Sequence, residues 1–196
     1  MLVREVMTPE PVTVRVETSV REALSLLDQH SVTSLPVVAE DSVVVGVLSE
    51  ADLLVGRLLP DDRSSILPRT ADASRAAADS VGAVMSRRPV TIPADTDLVD
   101  VAKVMTATGF KSLPVVDARG RLVGVVSRRD IVRTLARSDA DIEHDLAALF
   151  QTLGVDWVAR VADGRARISG PADDKARSLA HAAASTVAGV LNVRVG

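Results

Sequence analysis

The chain has no cysteine and no tyrosine, and only two phenylalanines and one tryptophan among 196 residues. Without thiols there is no disulfide, no thiolate metal site and no cysteine nucleophile. Phe110, Phe150 and Trp157 are all that is available to stack on a nucleic-acid base. His30, His144 and His181 fall in different predicted elements without metal-ligand spacing, no serine sits in a nucleophile elbow, and no Walker loop appears. Net positive charge is lacking too. Against 23 Lys and Arg stand 26 Asp and Glu, a net charge of −3, so no overall basic field draws in nucleic acid or an anionic membrane. No apolar run approaches the ~18 residues of a membrane span. Glu5, Pro9, Glu10 and Pro11 also arrive too early for a signal peptide. These absences predict a non-enzymatic protein of the cytoplasm with no catalytic residue and no metal site, one for which nucleic acid and membrane are disfavoured partners.

What the chain does have is a repeat. Residues 6–53 return at 84–131, offset by 78 positions without a gap. Ser34-Leu35-Pro36-Val37-Val38 recurs as Ser112-Leu113-Pro114-Val115-Val116, and Gly46-Val47-Leu48-Ser49-Glu50-Ala51-Asp52 as Gly124-Val125-Val126-Ser127-Arg128-Arg129-Asp130. Two copies are too few for a solenoid, which needs about three. A tandem pair predicts two half-domains facing each other across a pseudo-twofold axis, with ligand space between them.

Each copy reads strand, helix, strand, strand, helix. Pro11 to Val14 is an extended lead, because residues beside proline are pushed from helical angles. Ser19 with Glu22 fits a capping box, and Val20, Ala23, Leu24 and Leu27 follow at helical spacing, matched in the second copy by Leu98, Val101, Ala102 and Met105. Leu35–Val38 and Val43–Leu48 are unbroken apolar runs around Glu40-Asp41-Ser42, and Leu113–Val116 and Leu122–Val126 repeat them. Such runs predict strands covered on both faces. A final helix follows Ser49 and Ser127.

The tail has a different pattern. Ile142, Leu146, Leu149 and Phe150 form one helical stripe, and Val155–Val161 and Arg165–Ser169 read as strands around the Asp163-Gly164 hairpin turn. Ala176, Leu179, Ala180, Ala183 and Val187 predict a second helix stopped at Gly189, and Val190–Val195 a last strand. The fold class is therefore α+β: two βαββα-type repeats packed with pseudo-twofold symmetry plus a small αββαβ domain. The boundaries are 1–58 for the first repeat, 59–79 for a linker, 80–137 for the second repeat and 138–196 for the tail.

The repeated Met-Thr-x-x-Pro-Val-Thr-Val, Ser-Leu-Pro-Val-Val and Gly-Val-x-Ser-x-x-Asp blocks resemble the cystathionine β-synthase (CBS) domain, present as a tandem pair over residues 1 to about 137. The tail resembles a BON domain through the Ala-x-Val-x-Asp-Gly-x-x-x-hydrophobic-x-Gly pattern at 159–170 and the Gly-Val-x-x-Val pattern at 189–193. The first resemblance implies a regulatory module that needs no cofactor and binds an adenosine compound (AMP, ADP or ATP, with S-adenosylmethionine or NAD as further candidates). It also implies a homodimer. The second resemblance implies attachment to a membrane, an envelope component or a protein. A protein partner is the expectation here, since no export signal is visible.

The Gly-x-x-Ser-x-x-Asp block ends a strand and opens a helix, where free N–H groups and the helix dipole favour an anion. By the resemblance, the aspartate takes the ribose hydroxyls and the serine lies near ribose or phosphate. The main cleft then comprises Ser127, Arg129 and Asp130 with Thr8, Thr13, Val32, Thr33, Ser34, Lys111 and Ser112. A second, weaker cleft comprises Ser49 and Asp52 with Ser86, Thr91, Phe110, Lys111, Ser112 and Thr33. Ser-x-x-Asp equally suits a helix cap, worth about 0.5–2 kcal/mol with no ligand, and Val32 and Phe110 equally suit a core. Gly46 and Gly124 either relieve crowding at the strand or leave room for a ligand. The copies differ in charge: Lys111, Arg128 and Arg129 in the second correspond to Thr33, Glu50 and Ala51 in the first. Phosphates should therefore favour the Asp130 cleft. A reading without nucleotide control, a scaffold whose working part is the tail, stands as the alternative.

Overall fold

The computed structural model describes residues 1–54 and 79–196; the linker assigned to 59–79 lies outside the described residues except for Asp79. The chain divides into two compact units. One combines Met1–Met7, Asp95–Gly109 and Ser127–Gly196, and the other combines Thr8–Ala94 with Phe110–Val126. These units cut across the sequence repeats, because the first residues of each repeat are built into the other.

In the unit that contains Thr8–Ala94, β1 (Thr8–Pro9) is followed by α1 (Val20–Gln29), β2 (Ser34–Val38), β3 (Val44–Ser49) and α2 (Glu50–Leu54). Then come α3 (Val81–Val84), β4 (Ile92–Pro93), β5 (Ser112–Val116) and β6 (Leu122–Ser127). Ser19 caps α1 by accepting from the Glu22 amide at 3.1 Å. Val20, Ala23 and Leu27 are buried, but Leu24 is exposed, so the buried face is one position narrower than its spacing suggested. β2 and β3 pair antiparallel, and β4, β5, β6 and β1 lie side by side in a second sheet. β2 is buried along nearly its whole length, as its unbroken apolar run predicts. β3 and β6 instead alternate, with Gly46 and Leu48, and Gly124 and Val126, turned inward. The predicted lead strand at Pro11–Val14 reduces to a bridge of Val14 with Val37, and the regular strand of that segment lies earlier, at Thr8–Pro9.

The exchange between repeats is reciprocal. Thr8 and Pro9 pair with Val125 and Gly124, and the corresponding residues Ser86 and Val47 exchange both backbone hydrogen bonds, at 2.9 and 3.1 Å. Leu2 bridges Asp97 just as Ser80 bridges Ser19. Val43 bridges Arg121, its own counterpart, in antiparallel register. An antiparallel bridge centred on equivalent residues is a local twofold. The core below it gathers Val14, Leu35, Val37, Leu48, Leu53, Val81 and Val84.

In the other unit, a short 3-10 turn at Val3–Glu5 precedes α4 (Leu98–Thr108) and α5 (Arg128–Leu135). The tail follows as α6 (Asp139–Thr152), β7 (Val158–Ala162), β8 (Arg165–Ser169), α7 (Asp174–Ala184) and β9 (Asn192–Val195). β7 and β8 form a hairpin with Asp163 and Gly164 both at positive φ, the conformation a two-residue turn of this kind demands. β9 adds parallel to β8. One face of the sheet is covered by Ile142, Leu146 and Phe150 of α6 and Ala180 and Ala184 of α7. Leu179, expected inside, is exposed, and the stop at Gly189 falls five residues past the last helical one. Gly189 is at positive φ, and a Cβ there would lie 2.8 Å from Ile142 Cδ1.

Candidate functional site

The residues assigned to the main cleft divide between the units. Ser127, Arg129 and Asp130 belong to one, and Thr8, Thr13, Val32, Thr33, Ser34, Lys111 and Ser112 to the other. The second set, Ser49, Asp52, Thr33, Ser86, Thr91, Phe110, Lys111 and Ser112, lies wholly within a single unit.

At the start of α5 the Ser127 amide and hydroxyl donate to Asp130 Oδ2 at 2.8 and 2.6 Å, and the Asp130 amide reaches back to Ser127 Oγ at 3.4 Å. This is a reciprocal cap. Asp130 is only 5% exposed, and its second oxygen, Oδ1, accepts from Arg133. Burial of a carboxylate is tolerable only when it is paired in this way. Arg133 was not among the expected residues, although its i,i+3 spacing from Asp130 is visible in the sequence. Arg128 is not aimed at a phosphate position alone: its Nη2 donates to the Met105 carbonyl at 2.8 Å. Arg129 is exposed, and no polar partner for it appears among the described residues.

The start of α2 repeats this arrangement. The Ser49 amide and hydroxyl donate to Asp52 Oδ2 at 2.9 and 2.7 Å. The Glu50 amide donates to the Thr33 carbonyl at 3.0 Å, which ties the helix mouth to the segment before β2. Ser34 and Ser112, equivalent residues, share a hydroxyl–hydroxyl hydrogen bond. Lys111, assigned to both clefts, is paired with Glu50. A carboxylate therefore sits beside the one lysine of this site, at the position that carries Arg128 in the second repeat.

Val32 and Phe110 are 39% and 42% exposed, so neither belongs to a core. Thr8, Thr33 and Ser86 are exposed, and Thr13, Thr91, Ser34 and Ser112 are half-buried. Gly46 has a different reason from ligand access: a Cβ there would lie 2.6 Å from Met85 Sδ and 2.9 Å from the Ser86 carbonyl. Its missing side chain admits the lead segment of the other repeat. An open groove of about 660 Å³ lies elsewhere, lined by Asp41, Ser42, Val43, Asp117, Arg119 and Arg121 among others, and none of the assigned binding residues lines it.

The CBS domain sequence model matches residues 3–57 and 81–137, more than half of the chain. The chain belongs to the CBS domain family, with the two matches in tandem. It is 33% identical over 139 residues to a CBS domain-containing protein of Dictyostelium discoideum, across 70% of this chain and 92% of that one. It is 35% identical over 147 residues to the chloroplastic CBS domain-containing protein CBSX2 of Arabidopsis thaliana, across 67% of this chain and 61% of that one. The crystal structure of CBSX2 in complex with AMP superposes with a TM-score of 0.56 at 34% identity, covering 67% of this chain and 93% of that chain. The CBS domain pair of protein MJ0100 in complex with 5′-methylthioadenosine and S-adenosyl-L-methionine gives 0.56 at 26% identity, covering 68% and 94%. Among the described residues, no helix is long and apolar enough to cross a membrane.

Proposed function

We propose that the chain is a non-catalytic regulatory module that binds an adenosine nucleotide at its two Ser-x-x-Asp helix mouths. The observation that carries this reading is the repetition of one arrangement. In both copies a carboxylate is held by the serine three residues before it, and an exposed apolar residue, Val32 or Phe110, stands two positions before the serine that opens the next strand. A cap alone requires the Ser–Asp pair but gives no reason for apolar residues as exposed as Val32 (39%) and Phe110 (42%) at the equivalent position of both copies. The AMP held by CBSX2 supports the ligand class.

The Asp130 mouth is the stronger phosphate site in this reading. Among the described residues Arg129 has no polar partner there, whereas Glu50 neutralises Lys111 at the Asp52 mouth. A phosphate approaching Lys111 must displace a carboxylate, and a nucleoside need not. The Asp52 mouth is therefore suited to a less charged adenosine compound.

We further infer a homodimer. The paired helices α4 and α5 leave Val99, Val132 and Leu135 more than half exposed, an apolar surface that a second copy would cover. Residues 138–196 act as a BON-like protein-interaction unit in the cytoplasm, a reading supported by their αββαβ order and Asp163-Gly164 turn. Nucleotide binding biases the arrangement of the repeats by no more than its differential affinity for the alternatives.

Thermal melts with AMP, ADP, ATP, NAD and S-adenosylmethionine, followed through Trp157 emission, test the proposal. A ligand at a hundred times its Kd adds about 2.7 kcal/mol to stability. A panel with no shift at millimolar concentration would leave the scaffold reading in its place.

A further inference from the structure

The outer face of the tail sheet carries a row of like charges. Arg160 on β7 stands opposite Arg167 on β8, and Arg167 stands opposite Arg194 on β9. Arg165 lies two residues before Arg167 and therefore on the same face. All four are exposed, and the alternate residues Ala166 and Ile168 are buried beneath α6 and α7. The other outward positions are Val158, Ala162, Ser169 and Asn192, so no acidic side chain lies among them. Among the described residues, Arg165, Arg167 and Arg194 have no ion pair or side-chain hydrogen bond. Arg160 has only a 3.4 Å contact with Glu143, at 80% side-chain exposure.

Like charges directly opposite each other weaken a sheet, and this row contains two such contacts in succession. They occur in a chain whose acids outnumber its bases. Local frustration of this kind points to a use for the face.

We propose that this face docks an acidic helical segment of a partner protein. The proposal deepens the interaction role assigned to the tail by naming the chemistry of its partner. Neighbouring strands are about 4.8 Å apart, so the three guanidinium groups leave the sheet at that interval. Residues three or four apart on a helix rise by about 4.5–6 Å. A helix laid across the strands, with Glu or Asp at i, i+3 or i+4, and i+7, thus sets one carboxylate on each arginine, and the guanidinium fork accommodates a carboxylate through two parallel hydrogen bonds. Arg165 extends the patch to one side. Single-stranded nucleic acid suits the face poorly, because no aromatic residue lies on it. Trp157 instead packs edge-on against Phe150, with ring centroids 5.6 Å apart. Edge pairing is also blocked at β7, where Glu143 accepts from the Val161 amide at 2.7 Å.

The test uses the full chain and fluorescein-labelled alanine-based peptides of about 20 residues, long enough to be helical. One peptide has glutamates along a single face, and its isomer has the same number scattered around the helix. Anisotropy should show the single-face peptide bound about tenfold more tightly than the isomer, the scale of close charge-pair couplings at interfaces. Arg167→Glu should abolish this preference while raising the melting temperature, since it sets a carboxylate between Arg160 and Arg194. Arg194→Gln, which introduces no new pair, should weaken binding severalfold with folding intact. Equal binding of both peptides, or undiminished binding by Arg167→Glu, would overturn the arginine face while leaving some other interaction role for the tail. Tighter binding to phosphatidylserine vesicles or to an oligothymidylate, lost in the same variants, would overturn it in favour of a phosphate surface.

Discussion

Ser34 and Ser112 hold the same place in the two repeats, and their hydroxyl oxygens lie 2.5 Å apart. Two groups related by a twofold can touch only beside the axis, so this contact marks the axis at the start of β2 and β5, as the Val43–Arg121 bridge marks it at β3 and β6. The chain has no cysteine of its own. The double variant Ser34→Cys, Ser112→Cys should therefore form an intrachain disulfide on mild oxidation, seen as faster migration of a monomer on a non-reducing gel. Bands of dimer alone would place these residues apart.

Gly46 is occupied territory. With Met85 Sδ and the Ser86 carbonyl less than 3 Å from any added Cβ, Gly46→Ala must push the lead segment of the second repeat away from β3. Overpacking of this kind costs about 1–3 kcal/mol. Urea unfolding of the full chain should show that loss in the midpoint, with faster amide exchange at Val47 and Ser86. A neutral substitution would mean that the exchanged segment is not held there.

Asp117 governs the turn between β5 and β6. Its Oδ1 accepts from the Arg119 and Arg121 amides at 2.8 and 2.9 Å, and Oδ2 accepts from Arg121 Nε at 2.8 Å. The Arg121 backbone and side-chain hydrogen bonds hold its carboxyl below the usual carboxylate range. A depressed folded-state value gives stability that is present above the unfolded value, near 3.9, and lost as pH falls through the folded one. Acid titration of the turn amides by NMR should therefore show wild type loosening in that window. Asp117→Asn should be looser at neutral pH and lack the acid transition. A variant that keeps the wild-type transition would assign it to another group.

Glu50 sets the charge of the Asp52 mouth through Lys111. Both partners are well exposed, so the pair itself stabilises the fold by no more than about 1 kcal/mol. Glu50→Gln should leave the melting temperature nearly unchanged. It should strengthen AMP binding at that mouth by severalfold and leave adenosine binding unaltered, as read by competition. Equal gains for both ligands would show that Glu50 does not discriminate by charge.

Much of the fold was legible because the signals were local or repeated. The ungapped offset announced two equivalent halves, and the Ser19–Glu22 spacing placed the start of α1. Asp163-Gly164 placed the tail hairpin. The exchange of lead segments was not legible. Thr8–Pro9 and Ser86 are too short to show a period, and their partners lie across a whole repeat, so nothing near them in sequence indicates where they pair. Leu24 and Leu179 follow the helical spacing but sit at the edge of their stripes, where spacing cannot decide burial. At the helix mouths, the Ser–Asp pairs followed from the motif. The Glu50–Lys111 pairing required knowing that residues 61 positions apart meet. Val32 and Phe110, assigned to the clefts, suited a core as well, because apolar type predicts burial only on average.

In the proposed function the two helix mouths bind adenosine nucleotides unequally. Titration calorimetry of AMP into wild type, Asp130→Ala and Asp52→Ala tests this inequality most directly, with thermal unfolding of each variant checking the fold, since Asp130 and Asp52 are also caps. Asp130→Ala should remove the tighter binding event, and Asp52→Ala should leave it in place. Equal losses in the two variants, or loss of the tighter event only in Asp52→Ala, would contradict it.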